Sequence, residues 1–65
     1  MNELVKVKTE AGDLVFINLA HVSTIERNFN AAGVSAISMV DGRVFNVAMP
    51  LEDIENRFPN WYQLV

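Results

Sequence analysis

The Asp41-Gly42 dipeptide separates two stretches of β-forming residues, 34–40 and 43–48. Both central residues of a two-residue type I′ turn need a positive φ, which Asp tolerates and Gly prefers. The sequence therefore predicts a tight β-hairpin at this point. A two-residue loop places Met39 opposite Val44, and this pairing determines which side chains share a face of the hairpin.

In that register neither face of the hairpin is polar. Ile37, Met39 and Val44 lie on one face, whereas Phe45 and Val47 lie on the other. A sheet with one solvated face alternates cleanly between apolar and polar residues, so both faces of this hairpin are expected to be covered. The candidates for the cover are a helix, the sheet curling back on itself, and a second subunit.

Three further strands are predicted from alternating or β-branched residues, at 4–9, 14–17 and 22–27. Gly12 suits the left-handed position that closes a three-residue hairpin loop between the first two strands. The strand at 14–17 is apolar on both faces. Residues 18–21 interrupt the alternation and indicate a single helical turn or a bend, and residues 28–33 are expected to form a loop.

A short C-terminal helix is predicted after Pro50, a residue well suited to a first helical position. An apolar stripe recurs there at helical spacing, formed by Leu51, Ile54 and Phe58, and Pro59 ends the helix. The chain is therefore predicted to be mainly β and to form a single domain over residues 1–65. About five antiparallel strands would make a β-meander or roll that the helix covers.

The length and composition favour self-association. A domain of 65 residues buries only about 60% of the surface that its unfolded chain exposes, so its core is thin. Half of the residues (51%) are hydrophobic, which excludes a disordered tail or linker. The chain has no cysteine, so neither a disulfide nor a thiolate metal site can support the fold. A homo-oligomer or a protein partner is the remaining common support.

The charge pattern argues against nucleic acid as a partner. The net charge is −3, and the five fixed cations are spread along the chain, at Lys6, Lys8, Arg27, Arg43 and Arg57. Affinity for nucleic acid comes mostly from clustered basic residues. The longest apolar run, Leu14 to Ile17, is far below the roughly 20 residues of a membrane-spanning helix, and residues 1–4 do not resemble a secretory signal. A cytoplasmic protein without a membrane segment is expected.

No residue pattern indicates an enzyme, so no catalytic, cofactor-binding or metal-binding residue is assigned. His21 is the only histidine, and no carboxylate cluster accompanies it in sequence. The acidic residues fall mostly in predicted turns and on the helix exterior, where solvated carboxylates are usual. Each glycine is isolated and explained by a turn, which excludes a phosphate-binding loop.

Exposed or doubly covered apolar residues are the candidates for an interface. Trp61 and Tyr62 are large residues of the type enriched in interface cores, and they either cap the core or contact a second chain. The segment that contains them, 61–65, is interpreted as a last strand or a packing arm. The predicted interface comprises Phe29, Ile37, Met39, Val44, Trp61, Tyr62 and Leu64.

From Ile17 onward the order of features resembles the first part of the LytTR family of bacterial DNA-binding domains. The matching stretches are Ile17-Asn18-Leu19, the strand Val22-Ser23-Thr24-Ile25-Glu26, the turn Asp41-Gly42-Arg43, and the helix from Leu51 to Pro59. The chain is also similar in length and pattern to short FlbD-like β proteins associated with bacterial flagella and swarming.

The two resemblances imply different functions. The LytTR likeness implies DNA binding through basic loops beyond the helix, where this chain has Trp61-Tyr62-Gln63-Leu64-Val65. The flagellar likeness implies a small cytoplasmic accessory protein. The leading hypothesis is a non-enzymatic interaction or assembly module that associates with itself, and the alternative is a reduced LytTR-like DNA-binding or transcription-accessory domain.

Overall fold

The computed structural model describes residues 4–58, which contain five β-strands and one α-helix. The strands are β1 (Leu4–Lys8), β2 (Leu14–Asn18), β3 (Val22–Arg27), β4 (Ser35–Met39) and β5 (Val44–Val47), and the helix is α1 (Leu51–Arg57). All strand pairs are antiparallel. The predicted fold class, mainly β with one short C-terminal helix, is confirmed.

The strands form two sheets that meet at one corner. One sheet consists of β1 and β2, and the other has the order β3-β4-β5. A bridge between Thr9 and Val47 joins them. Two backbone hydrogen bonds flank this bridge: the Glu10 N–H donates to the Asn46 carbonyl oxygen, and the Ala48 N–H donates to the Lys8 carbonyl oxygen, both at 2.9 Å. The chain therefore forms a roll.

The loop between β1 and β2 has the predicted three-residue form. The Thr9 N–H donates to the Asp13 carbonyl oxygen at 2.8 Å, and the Gly12 N–H donates to the Thr9 carbonyl oxygen at 2.9 Å. Gly12 has a φ of 94°, a value that an L side chain rarely adopts. The loop sets a register that pairs Val7 with Val15.

The loop between β4 and β5 differs from the prediction, because it has three residues and not two. The Met39 N–H donates to the Arg43 carbonyl oxygen at 2.8 Å, and the Gly42 N–H donates to the Met39 carbonyl oxygen at 3.0 Å. Only Gly42, with a φ of 94°, needs the left-handed region here. In a three-residue loop Asp41 does not need the positive φ that a type I′ turn requires.

The longer loop shifts the hairpin register by one residue, which exchanges the faces of one strand relative to the other. Ile37 now lies opposite Phe45, and Ser38 lies opposite Val44. Val44 is therefore on the face opposite to that of Ile37 and Met39, and the prediction that these three residues share a face is wrong. The side of this hairpin that faces away from the core carries small, polar or exposed residues, namely Ala36, Ser38, Val44 and Asn46.

The core lies between the two sheets and the helix. Its buried side chains come from every layer of the roll: Val7, Ile17, Ile37, Met39, Val47 and Ile54. Two residues of the predicted stripe of α1 face this core, the buried Ile54 and the half-buried Phe58, and Leu51 is half-buried at the start of the helix. The helix begins at Leu51, one residue later than predicted, because Pro50 has extended backbone angles and serves as the N-cap. Pro59, the predicted end of the helix, lies outside the described residues.

The connection between the two sheets is a single helical turn, one of the two predicted alternatives. Residues Leu19–His21 form a 3₁₀ turn, and the Asn18 side chain caps it by accepting the Ala20 N–H at 3.0 Å. The His21 carbonyl oxygen then accepts the Val40 N–H at 2.8 Å. Within residues 4–58, none of the helical segments has the length and apolarity needed to cross a bilayer.

Ser35 links the second sheet to the start of the helix. Its side chain is completely buried, and its Oγ donates to the Met49 carbonyl oxygen at 2.6 Å. A buried carbonyl without a donor carries a desolvation penalty, so this hydrogen bond fixes the turn between β5 and α1.

We expect Ser35→Ala to lower the free energy of unfolding by about 1–3 kcal/mol, because the Met49 carbonyl oxygen loses its donor. Urea denaturation followed by circular dichroism measures this change. Ser38→Ala is the matched control, because Ser38 lies on the opposite side of the same strand. It should alter the free energy of unfolding by less than about 0.5 kcal/mol. Equal losses in the two variants would contradict the role given to the hydrogen bond.

Candidate protein-interaction surface

The structure separates the residues of the predicted interface. Ile37 and Met39 are buried in the core, so their side chains are not surface groups of this chain. Phe29 is 86% exposed in the loop before β4, and Val44 is 55% exposed at the start of β5. The remaining predicted residues, Trp61, Tyr62 and Leu64, lie outside the described residues.

A different apolar surface is present on the β1–β2 sheet. Side chains alternate along each strand, so Val7 and Ile17 point into the core while Leu4, Leu14 and Phe16 point outward. The three outward residues are 63%, 64% and 67% exposed, respectively. We call this side of the sheet the outer face; it comprises Leu4, Lys6, Lys8, Leu14, Phe16 and Asn18.

The outer face is cationic although the chain as a whole is acidic. Lys6 lies opposite Phe16, and Lys8 lies opposite Leu14. Both lysines are exposed, and the outer face has no acidic residue. Long lysine stems can pack beside aromatic and aliphatic groups while their ammonium groups stay in water. The surface therefore combines apolar contact area with positive charge.

A groove of about 380 Å³, which we call the end groove, adjoins the outer face. Leu4 and Phe16 form one wall, and Val40, which is 67% exposed, lies on the other side. Met39 and Phe45 contribute core side chains to the lining. The end groove thus lies where β1 begins, β2 ends and the β4–β5 loop folds back.

An ion pair forms part of the rim of the end groove. Arg43 Nε donates to Asp41 Oδ2 at 2.9 Å, and the Arg43 backbone N–H donates to Asp41 Oδ1 at 3.0 Å. The Arg43 guanidinium also lies 5.5 Å from the centre of the Phe45 ring, within cation–π range. The hydrogen bond from the Arg43 backbone N–H is the largest cause that lowers the pKa of Asp41 below its ordinary value of 3.8. The hydrogen bond and the charge of the Arg43 side chain lower this pKa further.

A second groove, of about 370 Å³, lies between the loop before β4 and the start of α1. Phe29 and Leu51 line it together with Arg27 and Glu52. Asn28 also lines this groove, and its side chain is already hydrogen-bonded: Nδ2 donates to Asn46 Oδ1 at 3.2 Å, and Oδ1 accepts the Asn30 N–H at 2.9 Å. These hydrogen bonds stabilise the loop and leave Asn28 with little capacity to bind a ligand.

The described residues offer few groups for chemistry. Within residues 4–58 there is no cluster of three His, Asp or Glu side chains that could hold a metal ion. His21 is exposed and lines the end groove without such a cluster. Ser35, the buried polar residue of this part of the chain, donates to a backbone carbonyl.

Comparison of the chain with protein-family models, curated proteins and solved structures gave no match.

Leu14 and Phe16 belong to the exposed surface but were not among the predicted interface residues. The strand that contains them alternates between two apolar sets, so its own sequence does not reveal which set is exposed. The exposed set of β2 is indicated instead by its pairing with β1. Once the three-residue loop around Gly12 is accepted, Lys6 and Lys8 fall opposite Phe16 and Leu14 and identify the solvent side.

Titration of Asp41 tests the geometry of the rim. We expect its pKa in the folded protein to lie below 3.8, and to rise in Arg43→Ala without reaching 3.8, because the backbone N–H remains. The stabilisation from this group is then present above pH 3.8 and is lost as the pH falls through the lower folded-state pKa. Carboxyl ¹³C NMR across the acid range measures both values. A return to 3.8 in the variant would show that the side chain, and not the backbone, controls the shift.

Proposed function

We propose that this chain is a non-enzymatic protein-interaction module that assembles with itself, and that the outer face and the end groove make the contact. The single observation that carries this proposal is the grouping of exposed apolar residues. Among the described residues six large hydrophobic side chains are exposed, and Leu4, Leu14, Phe16 and Val40 belong to this one region. Single exposed hydrophobic residues are normal in soluble proteins, whereas contiguous ones mark interaction sites.

The energy available from this surface is moderate. Full burial of a Leu or Phe side chain contributes about 1.5–3 kcal/mol. Leu4, Leu14 and Phe16 are each about two-thirds exposed, so covering all three would contribute roughly 3–6 kcal/mol. Association costs about 4–15 kcal/mol in translational and rotational freedom. Apolar contact alone therefore reaches only the lower end of what a stable assembly requires, and further contacts must contribute.

The construction of the monomer also supports assembly. Its core consists of single layers from two small sheets and one helix, without a disulfide. Small domains of this kind gain stability from partners. A cytoplasmic setting is part of the proposal, since disulfides are the usual staples of small extracellular domains and this chain has no cysteine.

Phe16→Glu tests the proposal, because a carboxylate in a covered apolar contact would be desolvated without a partner. In size-exclusion chromatography with light scattering at micromolar concentration, we expect the wild-type chain to exceed its monomer mass of 7.3 kDa. Phe16→Glu should raise the dissociation constant by about tenfold or more.

Phe29→Glu is the matched control. It places the same charge at an exposed aromatic position outside the outer face and the end groove. We expect its mass to equal that of the wild-type assembly. A wild-type chain that stays monomeric at the highest soluble concentration would refute self-association, and equal effects of the two substitutions would refute the assignment of the surface.

A further inference from the structure

The free edge of β2 carries backbone groups that the described chain does not pair. In its two-stranded sheet β2 has β1 as its partner on one side, and no strand within residues 4–58 lies against its other side. The hydrogen bond from the Thr9 N–H to the Asp13 carbonyl sets the phase of the ladder. Alternate residues of an antiparallel strand bond to the same neighbour, so Val15 and Ile17 bond to β1. The N–H and C=O groups of Leu14 and Phe16 consequently point away from it.

The same alternation is visible on the other strand of this hairpin. The Lys8 carbonyl oxygen and the Glu10 N–H, one residue on either side of Thr9, both point away from β2 and bond to β5 and the residue after it. These two bonds confirm the phase of the ladder. Leu14 lies opposite Lys8, and Phe16 is two residues further along the same strand. The backbone N–H and C=O groups of both residues must therefore point to the free edge.

The sequence of β2 has none of the features that protect an edge strand. Residues Leu14–Asn18 include no charged residue, proline or glycine. Natural edge strands are usually blunted by charge, proline or a bulge, because an uncharged apolar edge is a template for pairing. The opposite edge, β3, is protected: it has a bulge between Val22 and Thr24, and it ends in Glu26 and Arg27.

We infer that the occupant of the β2 edge is a second copy of this chain, which pairs its own β2 antiparallel to the first around a two-fold axis at Phe16. This inference rests on the self-association proposed above and names its geometry. The two-fold would let each Phe16 N–H donate to the Phe16 carbonyl oxygen of the partner subunit. It would also place Val15 beside the partner subunit's Ile17 on the core side.

The charge distribution fits a second copy. β2 brings no charge into the paired region, so its two-fold repeat creates no like-charge contact. Lys6 and Lys8 lie on β1, one strand inward. In the paired arrangement the two β1 strands are three strand spacings apart, about 14 Å, which exceeds a Debye length of about 8 Å at physiological ionic strength. Repulsion between the lysines is therefore largely screened.

Backbone pairing also supplies the contacts that the apolar surface lacks. The hydrogen bonds of an added strand join two backbones that are already ordered by their own hairpins, which limits the entropy lost on association. The two-fold brings Phe16 beside the partner subunit's Phe16 on the outer face, where each ring covers part of the other. Edge pairing and apolar contact then act on the same residue.

A single-cysteine variant tests this geometry, because the natural chain has no thiol. Opposed residues of a hydrogen-bonded antiparallel pair have Cα atoms about 5.5 Å apart, within the range of about 4.4–6.8 Å that a disulfide spans. We expect Phe16→Cys in a glutathione redox buffer to form a disulfide-linked dimer on a non-reducing gel. Leu14→Cys is the matched control on the same strand and face. Its two copies would lie about 14–15 Å apart, too far for a disulfide, so it should stay largely uncrosslinked.

A backbone variant provides a second test that does not depend on crosslinking. Phe16→Pro removes the outward N–H while leaving the hydrogen bonds of β2 to β1 in place, and proline is tolerated in edge strands at such positions. We expect it to raise the dimer dissociation constant by about tenfold beyond the effect of Phe16→Ala, which removes the ring but keeps the N–H. Circular dichroism on both variants verifies that the fold is retained.

The outcomes distinguish this inference from the proposed function. An oligomeric wild-type chain in which Leu14→Cys crosslinks as well as Phe16→Cys, or in which Phe16→Pro and Phe16→Ala behave alike, overturns the two-fold pairing and leaves self-association standing. A wild-type chain that is monomeric, with no crosslinking through Phe16→Cys, overturns both. In that case a second copy of this chain is not the occupant of the β2 edge.

Discussion

The registers of the β1–β2 and β4–β5 hairpins each depend on a glycine held at a φ of 94°. Gly12 and Gly42 close three-residue loops with the same pattern of backbone hydrogen bonds. Since side chains alternate along a strand, a loop shorter or longer by one residue would exchange the core and surface sets of one strand. The buried positions of Ile17 and Ile37, and the exposed position of Phe16, all follow from these two loops. The proposed interaction surface is thus a consequence of loop geometry.

Much of the fold could be predicted from sequence because its signals are local. Alternation located the strands, Gly12 located the first loop, and the apolar stripe headed by Leu51 located the helix. The loop at Gly42 was predicted one residue too short, because an Asp-Gly pair suits both a type I′ turn and a three-residue loop. Hydrophobic pattern could not decide between them, since the strands on either side are apolar at odd and even positions alike.

The candidate surface was harder to predict than the fold. Ile37 and Met39 were predicted to be interface residues because both faces of their hairpin are apolar in sequence, and the structure buries both in the core. Whether Phe16 or Ile17 faces the solvent follows from the pairing of β2 with β1, which the loop at Gly12 sets. The sequence of β2 alone does not contain this information, because both of its alternating residue sets are apolar. The unprotected edge of β2 likewise becomes visible only when strand order is known.

The corner bridge between the sheets has a consequence for how the roll responds to temperature. Each sheet is held by its own ladder of hydrogen bonds, whereas in the described chain the two sheets share the bridge between Thr9 and Val47 with its two flanking backbone hydrogen bonds, and otherwise meet through side chains. The joint therefore draws its strength chiefly from apolar contact. Such contact weakens on cooling, while ladder hydrogen bonds do not share this dependence. We therefore expect cooling to loosen the packing between the two sheets before it disrupts the strand pairing within each sheet.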